Sequence, residues 1–145
     1  VGEGKIYLQK IKQFIKENGL ENRVHFMGKM DKKLMPGIYK NAQFMVYPSQ
    51  FEGFGMPIAE SLFCKTPVIT STGSCFAEAG GPGAIYTAPN NLEELTAAME
   101  KLTNDDALRT SLGEAGFQHV QQFREEKIGQ KIADFHQKLM NNCTK

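Results

Sequence analysis

The sequence contains no apolar run that approaches the roughly 20 residues a helix needs to cross a bilayer. Its N-terminus also lacks a basic segment followed by an apolar one, so no signal peptide is predicted. We therefore expect a cytoplasmic protein without a membrane span, and a peripheral contact with a membrane surface stays open.

An excess of either charge is also missing. Lysine and arginine total 17 against 16 aspartate and glutamate residues, a formal net charge of +1. No nucleic-acid partner is expected, and an anionic ligand would have to be held by local groups. The cysteines Cys64, Cys75 and Cys143 are odd in number and widely spaced, which fits neither a disulfide framework nor a zinc site. We predict no metal site and a reducing compartment.

Apolar patterning is what the sequence does contain. Its 145 residues, 41% of them hydrophobic, suffice for one domain with a single core. Short apolar runs predict strands at 24–27, 44–47, 67–70 and 84–87, and residues 1–4 read as the end of a buried strand. Helical spacing predicts helices over 5–18, around 34–39, from Pro57 and from Asn91.

This alternation of strands and helices predicts the α/β class, with a Rossmann-like, doubly wound parallel sheet and helices on both faces. After Asp105 the pattern is helical only, so residues 105–140 are expected to form a C-terminal helical segment. In such a sheet a ligand binds beyond the carboxyl ends of the strands, which directs attention to the loops that follow them.

The loop from Ser49 to Glu60 follows the second complete predicted strand and leads into a helix. Gly53 and Gly55 let a ligand approach the backbone, and Pro57 in the first helical turn leaves N–H groups suited to a diphosphate. Glu60, about one turn into the helix, suits ribose hydroxyls. The alternative is a tight turn in which Glu52 is solvated and Glu60 compensates the helix dipole. Agreement among strand, loop, proline and carboxylates favours the ligand interpretation.

These residues resemble the signature of retaining GT-B glycosyltransferases of group 1, also called family 4, in which two glutamates flank seven residues around an EGFG motif and a proline. The likeness runs from Val1 to about Phe135 and includes further landmarks of the family at 24–28, 39–42, 48–49, 64–71 and 90–95. The resemblance implies that residues 1–145 are the C-terminal, nucleotide-sugar-binding domain of a longer enzyme, with the start of that domain missing.

The implied reaction moves a hexose, with retention, from a nucleoside diphosphate sugar to a hydroxyl of an acceptor sugar or lipid-linked sugar. Bacterial cell-surface polysaccharide or glycolipid synthesis is the implied setting, with neither metal nor cofactor. By the same resemblance Glu52 is the catalytic residue that faces the sugar, and Glu60 binds the ribose. The sugar and diphosphate would meet Gly53, Phe54, Gly55, Met56 and Pro57, and the base would lie near Gly28, Lys29 and Met30.

The sequence departs from the family pattern at its start. Members supply an arginine and a lysine to the diphosphate from a loop after the first strand of this domain, and the acceptor domain precedes that loop. The chain begins after both, so we expect it to bind a donor weakly on its own without transferring sugar. Two alternatives stay open: a nucleotide-sugar epimerase of the same fold, which the EGFG motif argues against, and a flavodoxin-like nucleotide-binding module, whose acidic cluster or flavin loop is not evident.

Overall fold

A computed structural model describes residues 2–143, and the chain divides into two compact units, residues 1–31 and 32–145. The first unit consists of helix α1 (Gly2–Glu17) followed by turns and irregular chain. Gly19, at φ +64°, ends the helix, and the N–H of Leu20 donates to the carbonyl of Ile15 at 2.9 Å. The predicted left-handed glycine cap is confirmed.

The strand predicted at 24–27 is not formed. A strand is held by hydrogen bonds to a neighbouring strand, and the described residues of this unit contain none. Val24, Phe26 and Met27 are instead 37%, 50% and 62% exposed. The strand end predicted at residues 1–4 is also wrong from Gly2 onwards, because α1 already begins there. Val1 lies outside the described residues.

The second unit alternates strands and helices as predicted. Its strands are β1 (Met45–Tyr47), β2 (Val68–Ser71) and β3 (Ala84–Thr87), and short 3-10 turns occupy Lys32–Leu34, Gly81–Gly83 and Gln121–Phe123. Its helices are α2 (Met35–Asn41), α3 (Met56–Phe63), α4 (Phe76–Gly80), α5 (Leu92–Asn104), α6 (Asp106–Val120) and α7 (Glu125–Cys143).

The three strands form a parallel sheet in the order β1-β2-β3. Consecutive residues of a strand point to opposite faces, and both Val68 and Ile69 in the central strand are fully buried. Val68 packs with residues of α3 and α4, whereas Ile69 packs with Ala98 and Leu102 of α5. Helices therefore cover both faces, which confirms the doubly wound α/β class.

Local signals fix where the helices begin. Pro36 and Pro57 lie in the first turns of α2 and α3, where a missing N–H costs nothing. The side chains of Asn91 and Asp105 cap α5 and α6, each by accepting a hydrogen bond from the main-chain N–H of the third residue of its helix. These helix starts were readable from the sequence.

The late helices differ in how they pack. A side chain at Gly113 or Gly116 of α6 would overlap Lys65 or Leu62, so α6 approaches its neighbours through small residues. The apolar stripe of α7 is exposed by 43–63% at Ile128, Ile132, Phe135 and Leu139. Over residues 2–143, none of the helices combines the length and apolar character that a bilayer crossing requires.

Candidate functional site

The loops that follow β1, β2 and β3 leave from one edge of the sheet, because the strands are parallel and in register. Hydrogen bonds tie these loops together. The N–H of Thr72 donates to the carbonyl of Thr87 at 2.8 Å, and the side-chain amide of Gln50 donates to Asn90 Oδ1 at 3.0 Å. The loop edge is thus a connected surface built from three strand ends.

Glu52 is held from both its side chain and its main chain. Carboxylate atom Oε1 accepts hydrogen bonds from the hydroxyls of Tyr47 at 2.6 Å and Ser49 at 2.9 Å. Its main-chain carbonyl accepts from Ser74 Oγ at 3.2 Å and Cys75 Sγ at 3.3 Å. Residues of two loops therefore fix a carboxylate that a turn alone would leave mobile.

The same contacts set the protonation states. The hydrogen bond from Tyr47, and then that from Ser49, lower the pKa of Glu52 below its usual value, so its carboxylate is ionised at neutral pH. In return, the bond to Glu52 and then burial raise the pKa of Tyr47 to about 12. The phenol keeps its proton and remains a donor. The alternative in which Glu52 is merely solvated does not describe this carboxylate.

Helix α3 begins at the end of this loop without a side-chain cap. Gly55 precedes the helix at φ +87° and ψ +46°, no side chain caps the first turn, and no acidic residue lies in that turn. The carbonyl of Gly55 accepts from the N–H of Ile58 at 2.9 Å. No carboxylate in the first turn therefore compensates the free N–H groups and the positive end of the helix dipole. Such a helix start is suited to binding an anion.

The two glycines of the loop serve different purposes. Gly55 needs its left-handed conformation, and a Cβ there would lie 3.1 Å from Ile58 Cδ1. Gly53 has no such constraint, because a Cβ at this position would meet nothing within 4 Å. Gly55 is therefore required by the turn. The absence of a side chain at Gly53 leaves open space beside Glu52, as a closely approaching ligand would require.

The side chain of Phe54 anchors the loop to the core. Its ring packs edge to face on Phe123, with ring centroids 5.0 Å apart, and joins the cluster that includes Ile58 and Leu62. A ligand contact from Phe54 would therefore come from its main chain. The neighbouring Phe51 is 81% exposed.

Glu60 is held differently from Glu52. It lies in α3 beyond the first turn, and its Oε2 accepts a hydrogen bond from the hydroxyl of Tyr39 at 3.1 Å. Tyr39 is 7% exposed, and burial followed by the bond to Glu60 raises its pKa to about 12. Dipole compensation falls off within the first turn of a helix, so it does not account for Glu60.

The structure thus brings the residues from Glu52 to Glu60 into one loop and helix start of the second unit. Gly28, Lys29 and Met30 belong to the first unit, with Gly28 at φ +64°, and their contact with a base stays a prediction. Across the described part of the chain, no group of three or more His, Cys, Asp or Glu side chains is arranged to hold a metal ion.

Sequence reasoning missed the residues that hold the two glutamates: Tyr39, Tyr47, Ser49, Ser74 and Cys75. One signal was available. Tyr47 ends an apolar strand, and a tyrosine there has a hydroxyl that needs a partner at the loop edge.

Comparison with known proteins assigns the family. The family model described as "Glycosyl transferases group 1" matches residues 1–119, so the chain belongs to the group 1 glycosyltransferase family. The expected likeness to the C-terminal domain of the GT-B fold is confirmed by solved structures.

The similar proteins are considerably longer. O-antigen chain mannosyltransferase B of Escherichia coli is 29% identical over 111 residues, which is 77% of this chain and 29% of the relative. Sucrose-phosphate synthase of Thermosynechococcus elongatus matches 92% of this chain and 34% of its own, at a TM-score of 0.78 and 27% identity. HepE of Anabaena, solved in complex with UDP and glucose, matches 95% of this chain and 38% of its own, at a TM-score of 0.81 and 24% identity. The chain spans about a third of these proteins.

Proposed function

We propose that this chain is the donor-binding domain, residues 1–145, of a retaining glycosyltransferase that moves a hexose from a nucleoside diphosphate sugar to an acceptor hydroxyl. The acceptor is a sugar or a lipid-linked sugar in cell-surface polysaccharide or glycolipid synthesis. An acceptor domain of the same longer protein completes the enzyme, which works in the cytoplasm or at a membrane surface. Family membership and the O-antigen mannosyltransferase relative support this proposal.

The observation that carries the proposal is the uncapped start of α3 between two held carboxylates. Nucleoside diphosphate sugars have the matching order of groups: hydroxyls of the sugar, a diphosphate, then hydroxyls of the ribose. Glu52 binds the hydroxyls of the transferred sugar, and Glu60 binds those of the ribose. Gly53 to Pro57 form the cradle for the diphosphate.

Electrostatic stabilisation provides most of the proposed catalysis. The bond between the anomeric carbon and the diphosphate breaks, so negative charge develops on the leaving diphosphate. N–H groups of Phe54, Gly55 and Met56 and the helix dipole stabilise that charge without reorganising. The ionised Glu52 stabilises positive charge that develops on the sugar. No metal or cofactor is part of this scheme.

The natural full-length protein tests this proposal when it is incubated with a mixture of sugar nucleotides and a membrane extract containing glycan acceptors. Mass spectrometry should detect release of one nucleoside diphosphate together with an acceptor heavier by one hexosyl group, which is a hexose less one water. Conversion of a sugar nucleotide into an isomer would favour the epimerase alternative. Binding of flavin mononucleotide in place of every nucleoside diphosphate would favour the flavodoxin-like module.

The same assay on residues 1–145 alone separates donor binding from transfer. We expect weak binding of UDP or GDP and no glycosylated acceptor, because the proposed acceptor domain is not part of this segment, which spans about a third of the proteins that it matches. Sugar transfer by the segment alone would contradict the proposed division between two domains.

A further inference from the structure

The two hydroxyl groups that bind Glu52 lie in a different part of the fold from the carboxylate that they hold. Tyr47 is the last residue of β1, pairs with Thr70 of β2, and accepts through its carbonyl a hydrogen bond from the Thr70 hydroxyl at 2.8 Å. Ser49 follows it by two residues. The donors are therefore placed at or beside the sheet, whereas Glu52 lies in the loop that a ligand would enter.

Both donors bind the same carboxylate oxygen, Oε1. This arrangement fixes the plane of the carboxylate and leaves the lone pairs of Oε2 for a ligand hydroxyl. A carboxylate whose two oxygens were both engaged by the protein would have less capacity for a sugar.

The donors are also neutral. Among the ion pairs in the described part of the chain, none involves Glu52. Apart from Tyr47, the titratable side chain that contacts Glu52 is Cys75, whose thiol donates a hydrogen bond to the main-chain carbonyl of Glu52. Neutral hydroxyls orient the carboxylate without cancelling its charge, so the charge remains available to the sugar as positive charge develops there.

We propose that Tyr47 and Ser49 are positioning residues for Glu52, which hold its carboxylate through Oε1 so that Oε2 meets the transferred sugar. The inference rests on the function proposed above for Glu52. In this role each hydroxyl acts on the sugar nucleotide only through the carboxylate of Glu52. Tyr47 suits the task because its phenol remains protonated throughout the pH range in which Glu52 titrates.

The first arm of the test measures the Glu52 carboxyl directly, in the natural full-length protein labelled with 13C at glutamate side-chain carboxyls. Glu52→Gln identifies the Glu52 signal. Its pKa should rise in both Tyr47→Phe and Ser49→Ala, because each variant removes a hydrogen bond that favours the ionised form. Tyr86→Phe is the matched control, since that hydroxyl donates to the carbonyl of Gly81 at 2.8 Å and should leave the pKa unchanged.

The second arm measures binding at neutral pH with UDP-glucose and GDP-mannose, each paired with its nucleoside diphosphate. In both positioning variants the affinity for the sugar nucleotide should fall by about 10-fold, as expected when a hydrogen bond between the ligand and a charged group is lost. The affinity for UDP and GDP should stay unchanged. Ser49→Ala removes few packing atoms, so it keeps the test decisive if Tyr47→Phe folds poorly.

The two arms separate the two claims. An unchanged pKa of Glu52 in both variants would overturn the positioning role. A raised pKa with undiminished binding of the sugar nucleotide that the wild type prefers would also overturn it, because the hydroxyls would then hold the carboxylate without directing it to the sugar. Undiminished binding of that sugar nucleotide by Glu52→Gln would instead overturn the assignment of Glu52 to the sugar, and with it the proposed function. A raised pKa together with selective loss of sugar-nucleotide binding supports both.

Discussion

Glu52 and Glu60 stand at the two ends of the same segment, and the protein holds them in different ways. Glu52 lies in a loop and is anchored by four side chains, two on its carboxylate and two on its carbonyl. Glu60 has its backbone fixed by α3 and needs one buried tyrosine to direct its carboxylate. A loop carboxylate without helical hydrogen bonds requires side-chain anchors, and a group that stabilises a transition state benefits most from them.

The largest effect that this comparison predicts is on transfer by the full-length protein. Glu52→Gln should lower kcat by about 100-fold to 1,000-fold, as when a preorganised group facing developing charge is lost. Glu60→Gln should mainly raise KM for the sugar nucleotide, by about 10-fold, because the contact proposed between Glu60 and the ribose would be the same in ground and transition states. Initial rates over a range of donor concentrations separate kcat from KM, and equal losses of kcat in both variants would remove the distinction.

Tyr39, the buried partner of Glu60, should make the free energy of unfolding depend on pH in the alkaline range. The pKa of Tyr39 is raised from 10.0 to about 12, so its contribution is present below pH 10 and is lost as pH rises towards 12. The loss should reach about 2 kcal/mol, and Tyr39→Phe should not show it. Urea unfolding of both proteins at pH 9, 10.5 and 12 measures the difference. Parallel declines would show that Tyr39 titrates normally.

The two glycines between the carboxylates should separate folding from binding. Gly55→Ala should cost about 1–2 kcal/mol of unfolding free energy, because φ is +87° and the new methyl group meets Ile58. Gly53→Ala should change stability by less than about 0.5 kcal/mol, as at an unconstrained surface position, yet weaken nucleotide-sugar binding by filling the open space. Urea unfolding and calorimetric binding of the two variants test this contrast, and equal destabilisation would contradict it.

The smallest effect on stability is expected from loss of the hydrogen bond between the Cys75 thiol and the main-chain carbonyl of Glu52. Cys75→Ala removes a weak thiol donor and should lower stability by about 0.5 kcal/mol. Cys75→Ser keeps a donor at the same place and should restore the wild-type value. Both can be measured by urea unfolding at neutral pH. A larger loss in the serine variant than in the alanine variant would show that Cys75 acts through packing.

Much of the fold could be predicted because its signals are local. Apolar runs marked β1, β2 and β3, while Pro57, Asn91 and Asp105 marked helix starts through the chemistry of the first turn. The strand expected at 24–27 was wrong, because a strand depends on a partner that its own sequence does not specify. The short helix α4 and the glycine-rich turn after it were missed, since alanine and glycine carry little periodic pattern.

The candidate site also has a part that could be predicted from local sequence and a part that could not. The pattern from Glu52 to Glu60 is contiguous, so its spacing could be read directly. Tyr39 lies 21 residues before Glu60 and Ser74 lies 22 residues after Glu52, and they meet these glutamates only through the packing of α2, α3 and the loop after β2. Tertiary partners of this kind follow from the fold and not from local spacing.

Calorimetric titration of full-length wild type, Glu52→Gln and Glu60→Gln with UDP-glucose, UDP, GDP-mannose and GDP distinguishes the roles proposed for the two glutamates. If Glu60 binds the ribose and Glu52 the sugar, Glu60→Gln should weaken binding of a sugar nucleotide and of its nucleoside diphosphate by the same factor. Glu52→Gln should weaken binding of the sugar nucleotide alone. Equal weakening of both ligands by both variants, or no weakening by either, would contradict the division of this segment between sugar and ribose.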